Sequence, residues 1–239
     1  MLVTIKNVAR RLLGEKTWGT LQYYRRPEQG DGWGGPFNGQ PNRVRIFRSI
    51  VAAVHPAAIV ETGTYLGTTT EFMARTGVPV YTVESQPRNY GFARARLRRT
   101  SNISIRFGDS RAALRSFFGG PLASKVDKTI FAYLDAHWYH DLPLAEEIDI
   151  IFSFCRGAVV MIDDFQVPGD PGYAYDDFGE GKALTPAYIE AAVDKHGLRA
   201  FYPSQPSFEE GGPRRGCVVL VKDMTPANAL AASALLRAA

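Results

Sequence analysis

Hydrophobic and polar positions fall in blocks along the chain, and the blocks read as strands and helices in turn. Short, nearly uninterrupted apolar runs stand at 58–62, 78–84, 103–107, 130–135 and 158–163. Between them lie stretches with helical spacing, at 68–76, 88–99, 110–118 and 143–154. A strand that runs apolar without alternation is buried on both faces, so this order predicts a doubly wound parallel sheet with helices on each side. Two further strands, 198–202 and 217–221, are separated by a segment rich in Pro and Gly without helical period. That separation predicts a hairpin-like, antiparallel ending. The expected fold class is α/β: seven strands, mostly parallel, with an antiparallel last strand.

Two segments break the rhythm. Residues 1–45 hold an amphipathic helix candidate at 5–13 and a glycine-rich stretch at 30–39, and read as a helical and loop extension. Residues 166–182 combine four glycines and two prolines with Tyr173, Tyr175 and Phe178, and read as a long loop of the kind that covers a ligand. The expected organisation is an extension over 1–45, the sheet domain over 46–222 and a helical tail over 223–239.

Composition narrows the class. With 239 residues and 45% apolar content the chain can bury one sizeable core. No apolar run approaches the roughly 18 residues of a membrane span. Lys6, Arg10 and Arg11 interrupt any leader-like apolar stretch, and Cys155 and Cys217 make no disulfide or metal pattern. A cytoplasmic protein is expected. The formal charge of +4 is unevenly spread: residues 88–115 carry eight Arg against Asp109, whereas 163–182 carry six acids against Lys182. Arg94 and Arg98 stand at i, i+4 as on a solvated helix face, and no aromatic-interleaved basic stripe accompanies them. Nucleic acid is therefore not the expected partner.

Ligands of open α/β sheets bind at the carboxyl ends of the strands, near the point where strand order reverses. Those ends are polar here: Glu61-Thr62-Gly63-Thr64-Tyr65-Leu66-Gly67, then Glu84, Gly108-Asp109-Ser110, Asp135-Ala136-His137 and Asp163-Asp164. Gly63 and Gly67 suit a tight strand-to-helix turn. A dinucleotide fingerprint fails, because Tyr65 occupies the second glycine position and Glu61 would repel a pyrophosphate. The Glu61 carboxylate suits a cationic ligand group instead. Glu84, 21 residues after Gly63, stands where an acid accepts from ribose hydroxyls. Asp109 and Ser110 are placed to touch an adenine edge, or Asp109 to cap the following helix.

These motifs resemble the first three cofactor motifs of class I S-adenosylmethionine (SAM)-dependent methyltransferases, over about residues 43–222. The resemblance implies a Rossmann-like fold, with Glu61 and Gly63 at the methionine part, Gly67 in the same cofactor-binding turn, Glu84 at the ribose and Asp109-Ser110 at the adenine. Asp135 ends the fourth strand, and Asp163 and Asp164 end the fifth. If the two strands are neighbours, three carboxylates converge, and they repel unless a cation intervenes. All-oxygen donors favour Mg²⁺. The layout is similar to metal-dependent O-methyltransferases of the macrocin and catechol types, which implies Asp135, Asp163 and Asp164 as ligands of Mg²⁺. The catechol type's lysine is missing, since no lysine lies between Asp135 and Asp163. His137 or Asp135 is the expected base, with His140 a weaker candidate. Tyr23, Tyr24, Trp33, Phe37, Tyr173 and Tyr175 are candidates to stack on the acceptor, each of which could equally pack its loop.

The expected activity is methylation of a hydroxyl on a small molecule such as a sugar or glycosylated metabolite. The alternatives are a metal-dependent hydroxylase-like relative on the same fold, an RNA-binding or RNA-modifying protein acting through the Arg-rich helix, and a non-catalytic binding module. The N-terminal helix candidate would suit a homo-oligomer interface.

Overall fold

Each β-rich run of the sequence becomes a short strand in the computed structural model, which describes residues 13–31, 33–137, 141–179 and 181–239. The strands are β1 (Ala58–Thr62), β2 (Val80–Glu84), β3 (Ile103–Phe107), β4 (Ile130–Leu134), β5 (Ala158–Ile162), β6 (Arg199–Pro203), β7 (Val218–Val221) and β8 (Leu236–Ala238). They form one sheet in the order β3-β2-β1-β4-β5-β7-β6-β8. The first five are parallel, β7 enters antiparallel between β5 and β6, and β8 runs antiparallel on β6. Chain order reverses between β1 and β4, which places the switch point where the polar strand ends cluster.

The helices are α1 (Glu15–Arg25), α2 (Pro41–Val54), α3 (Thr68–Ala74), α4 (Pro87–Leu97), α5 (Ser110–Phe118), α6 (Leu144–Phe154), α7 (Pro186–His196) and α8 (Met224–Ala231). On one face of the sheet Leu114 and Phe117 of α5, Ile148 and Ile151 of α6 and Ile189 of α7 pack against Val60, Ala132 and Val160. On the other, Ile46, Phe47 and Ile50 of α2, Met73 of α3 and Leu230 of α8 pack against Ile59, Phe131 and Val159. Burial on both sides is why β1, β4, β5 and β7 carry almost no polar positions, and why Glu61 inside β1 stands out.

The tail differs from the helical expectation. After α8 it ends in β8, where Leu236 is buried and covers the edge of β6. A three-residue strand shows no sequence period, so its pairing comes from tertiary contact. Most of the helix expected at 5–13 lies outside the described residues. Residue 45 falls within α2, whose Ile46, Phe47 and Ile50 belong to the core. In α1, Gly19 and Gly91 of α4 let the two backbones touch: a Cβ on Gly19 would collide with the Arg88 carbonyl, and one on Gly91 with the Lys16 carbonyl. Thr20 Oγ1 donates to the Gly91 carbonyl at 3.0 Å, and the Tyr23 and Phe92 rings meet edge to face. No helix of the described residues is long and apolar enough to cross a membrane.

Candidate active site

Register builds the site. Thr62, Leu134 and Ile162 pair across β1, β4 and β5, so the residues that follow them, Gly63, Asp135 and Asp163, lie along one rim. The backbones touch there. Asp135 donates its amide to Thr62 O at 3.0 Å, and a Cβ on Gly63, which has φ +84°, would run into the Asp135 carbonyl. Only glycine combines that angle with that clearance.

The turn after β1 is organised by two carboxylates. Glu61 is buried, and its Oε2 accepts from Thr70 and Thr82 at 2.5 and 2.6 Å. It thus ties α3 to β2, rather than presenting that oxygen to a ligand, and desolvation pushes its carboxyl up to about 7. Glu84 accepts from the Tyr65 amide at 2.7 Å and the Gln86 amide at 2.7 Å. Tyr65 adopts φ +50°, costly for a bulky residue, and this directs its amide onto Glu84. Burial raises Glu84 to about 7 as well. The backbone donors leave the carboxylate room for a further one, which fits a ribose hydroxyl. Tyr65 also lines a cavity of about 270 Å³ with Leu66, Gln22, Arg88 and Phe92, between α1 and α4.

Gly67 precedes α3 in the left-handed region. Asp109 caps α5, accepting from the Ala112 amide at 3.0 Å, and Arg111 beside it lowers its carboxyl. Of the two sequence readings the capping one is therefore met. Ser110 is buried and bonds with Glu147, a wholly buried acid of α6 that also accepts from Thr62 at 3.3 Å.

The metal set departs from the sequence expectation. Asp163 is turned inward and engaged on both oxygens: it is ion-paired with Arg43, accepts from the Tyr133 hydroxyl, and caps the Asp164 amide at 2.9 Å. Both oxygens are committed to protein partners, and Asp163 falls outside the group of side chains that could share an ion, against the expectation for it. Instead Asp135, His137 and Asp164 each bring one donor atom within 4.8 Å of the others. His137 is buried, with both ring nitrogens unpartnered, and Nε2 is 3.7 Å from Asp135 Oδ1. An unsatisfied buried imidazole beside two carboxylates fits a divalent cation. Desolvation pushes His137 down to about 4. Desolvation, with the charges of Asp164, Glu61 and Asp176, pushes Asp135 well above the usual carboxyl range, opposed by Arg43.

Arg215, ahead of β7, holds Asp164 at 2.8 Å and also pairs with Asp176 of the 166–182 loop. The Asp176 amide in turn donates to Asp164 O at 2.9 Å, so the long loop is stitched to the rim. Arg43 donates to the carbonyls of Arg215 and Gly216. Neither arginine was singled out in the sequence. Arg43 could have been: it continues the stripe of Phe47 and Ile50 on α2. Glu147 shares the stripe of Leu144, Ile148 and Ile151 in the same way.

Among the aromatic candidates, Phe37 is a core residue packed on Phe47, Phe72 and Tyr133, and Tyr173 is buried with its hydroxyl on the Gln205 carbonyl. These two pack their loops, because each ring already has its partners. Tyr23 lies against Phe92, Tyr175 is half-buried, and Tyr24 and Trp33 are exposed. His140 lies outside the described residues. His196 is bonded to Asp149, away from the rim.

No known family description matches this chain, and no curated protein matches its sequence. Solved structures do. SAM-bound CalS10, an amino pentose methyltransferase from Micromonospora echinaspora involved in calicheamicin biosynthesis, superposes with a TM-score of 0.53 at 18% identity, over 84% of this chain and 96% of that one. The methyltransferase domain of bacterial CtHen1-CN gives 0.52 at 15% identity, over 75% and 97%. Sheet order, switch point and these likenesses agree: the chain has the fold of the class I SAM-dependent methyltransferases.

Proposed function

We propose that the protein is a SAM-dependent methyltransferase that methylates a hydroxyl of a small molecule with the help of a divalent cation. The observation that carries the reading is the contact between Gly63 and the Asp135 backbone, which sets a cofactor-type turn directly beside the Asp135–His137–Asp164 cluster. When bound, SAM supplies an electrophilic methyl group on a sulfonium. A cation held by Asp135, His137 and Asp164 would favour the deprotonated form of a hydroxyl beside it.

The chain's own residues do the rest. Glu84 accepts from the ribose, and the Gly63–Gly67 turn lets the cofactor approach the backbone. Asp135 and Asp164 hold the cation side, and Asp135 or His137 accepts the acceptor's proton. Transfer to a nucleophile is mainly a matter of alignment, which rigid strand ends provide. The acceptor enters from the side bounded by the 166–182 loop, and exposed Trp33 supplies a ring for a sugar face. CalS10, a structural neighbour of this chain, is an amino pentose methyltransferase, which supports a sugar acceptor.

Calorimetric titration of SAM, with NAD as control, tests the reading. Micromolar SAM binding, silent for NAD and weakened on the order of 100-fold in Glu84→Ala, is expected. An absence of SAM binding at millimolar concentration would overturn it.

A further inference from the structure

His137 stands alone among the described residues in having two buried polar atoms and a partner for neither. Native proteins rarely bury an imidazole this way, because one nitrogen needs an acceptor and the other a donor or a cation. The cluster geometry supplies what is missing. The ring lies at the end of β4 facing Asp135, with Asp164 arriving from the end of β5, and the three donor atoms lie within 4.8 Å of one another. Donors on opposite sides of an ion, each about 2.1 Å from it, stand roughly 4.2 Å apart, close to that spacing. Asp163, which would have made the set all-oxygen, is closed off by Arg43 and Tyr133. Arg215 takes Oδ1 of Asp164, and the carboxylate has a second oxygen.

We propose that His137 is a metal ligand, so that Asp135, His137 and Asp164 form a mixed nitrogen–oxygen site for a first-row transition dication instead of an all-oxygen site for Mg²⁺. Imidazole suits transition ions, whereas Mg²⁺ is bound through oxygens and keeps its waters. Of the two proton acceptors considered above, Asp135 alone then remains. The inference rests on the divalent-cation part of the proposed function and is independent of SAM.

The test is pulsed electron paramagnetic resonance on the whole protein titrated with Mn²⁺ alone, with SAM affinity measured in parallel. Mn²⁺ binding with imidazole-nitrogen modulation is expected. In His137→Gln the modulation is lost, while weaker Mn²⁺ binding through the aspartates persists and SAM affinity is unchanged. Asp164→Asn keeps the modulation and weakens Mn²⁺ by about tenfold or more. If His137→Gln does not fold, labelling histidine with ¹⁵N in the wild-type chain must shift the modulation. Mn²⁺ bound without nitrogen coupling, coupling that survives in folded His137→Gln, or no Mn²⁺ binding overturns the inference. Intact SAM binding in those cases leaves the methyltransferase reading standing.

Discussion

Arg43 and Asp163 face each other as an ion pair with 2% and 0% of their side chains exposed. A buried pair of this kind costs desolvation on both sides, so removing one partner strands the other's charge. Asp163→Asn and Arg43→Met are each expected to lose about 3–5 kcal/mol of stability. The double variant Arg43→Met/Asp163→Asn should lose less than the sum of the two. Urea unfolding of the three proteins measures it, and additive losses would show that the pair is not coupled.

Glu84 connects the turn to its ligand. Glu84→Ala removes the acceptor for the Tyr65 amide and, under the proposed function, for the ribose. Hydrogen bonds to a charged group are worth about 1.5–3 kcal/mol, so SAM affinity should fall on the order of 100-fold. Titration calorimetry reads the change; unchanged affinity would remove Glu84 from the site.

Glu147 makes stability depend on pH. Desolvation raises its carboxyl from 4.5 to about 7 in the fold, so between those values the folded chain holds a proton that the unfolded chain has released. Stability contributed in that window is present at low pH and is lost as pH rises toward 7. Glu147→Gln should flatten this dependence relative to wild type and gain on the order of 2–3 kcal/mol above pH 7. Unfolding at pH 5 and pH 8 compares the two proteins; parallel profiles would count against a buried, protonating Glu147. Glu61 and Glu84, raised likewise, contribute equally to both.

The crossing of α1 over α4 depends on two missing side chains. Gly91→Ala places a methyl against the Lys16 carbonyl, and the overpacking should cost about 1–3 kcal/mol. Hydrogen exchange should accelerate in α1 and stay constant in β4 and β5. Uniform acceleration, or none, would argue against this close contact.

The sheet was legible because β4 and β5 are apolar throughout, β1 is apolar up to Glu61, and the intervening helices keep their period. The antiparallel ending was legible from the missing crossover helix between β6 and β7. The cluster was half legible. Asp135, Asp164 and His137 stood at strand ends, but which of two adjacent aspartates faces outward depends on the turn after β5, where Asp164 takes φ +52°. A residue pattern cannot report that reversal. Nor could it report Arg215 and Asp176, whose meeting depends on how two long loops fold over each other. Arg43 and Glu147 were readable in principle, as charges on apolar helix stripes, and their burial follows from that position.

The contact between Gly63 and Asp135 is made by main chain, not by side chains that could change rotamer. Under the proposed function, the spacing between methyl donor and nucleophile is therefore a property of the scaffold. The loops that choose the acceptor can diverge, or be exchanged by an engineer, without resetting the geometry of transfer. Reprogramming this protein for a new acceptor should thus succeed in the 166–182 loop and around Trp33, and should fail wherever a change perturbs the seam between β1 and β4.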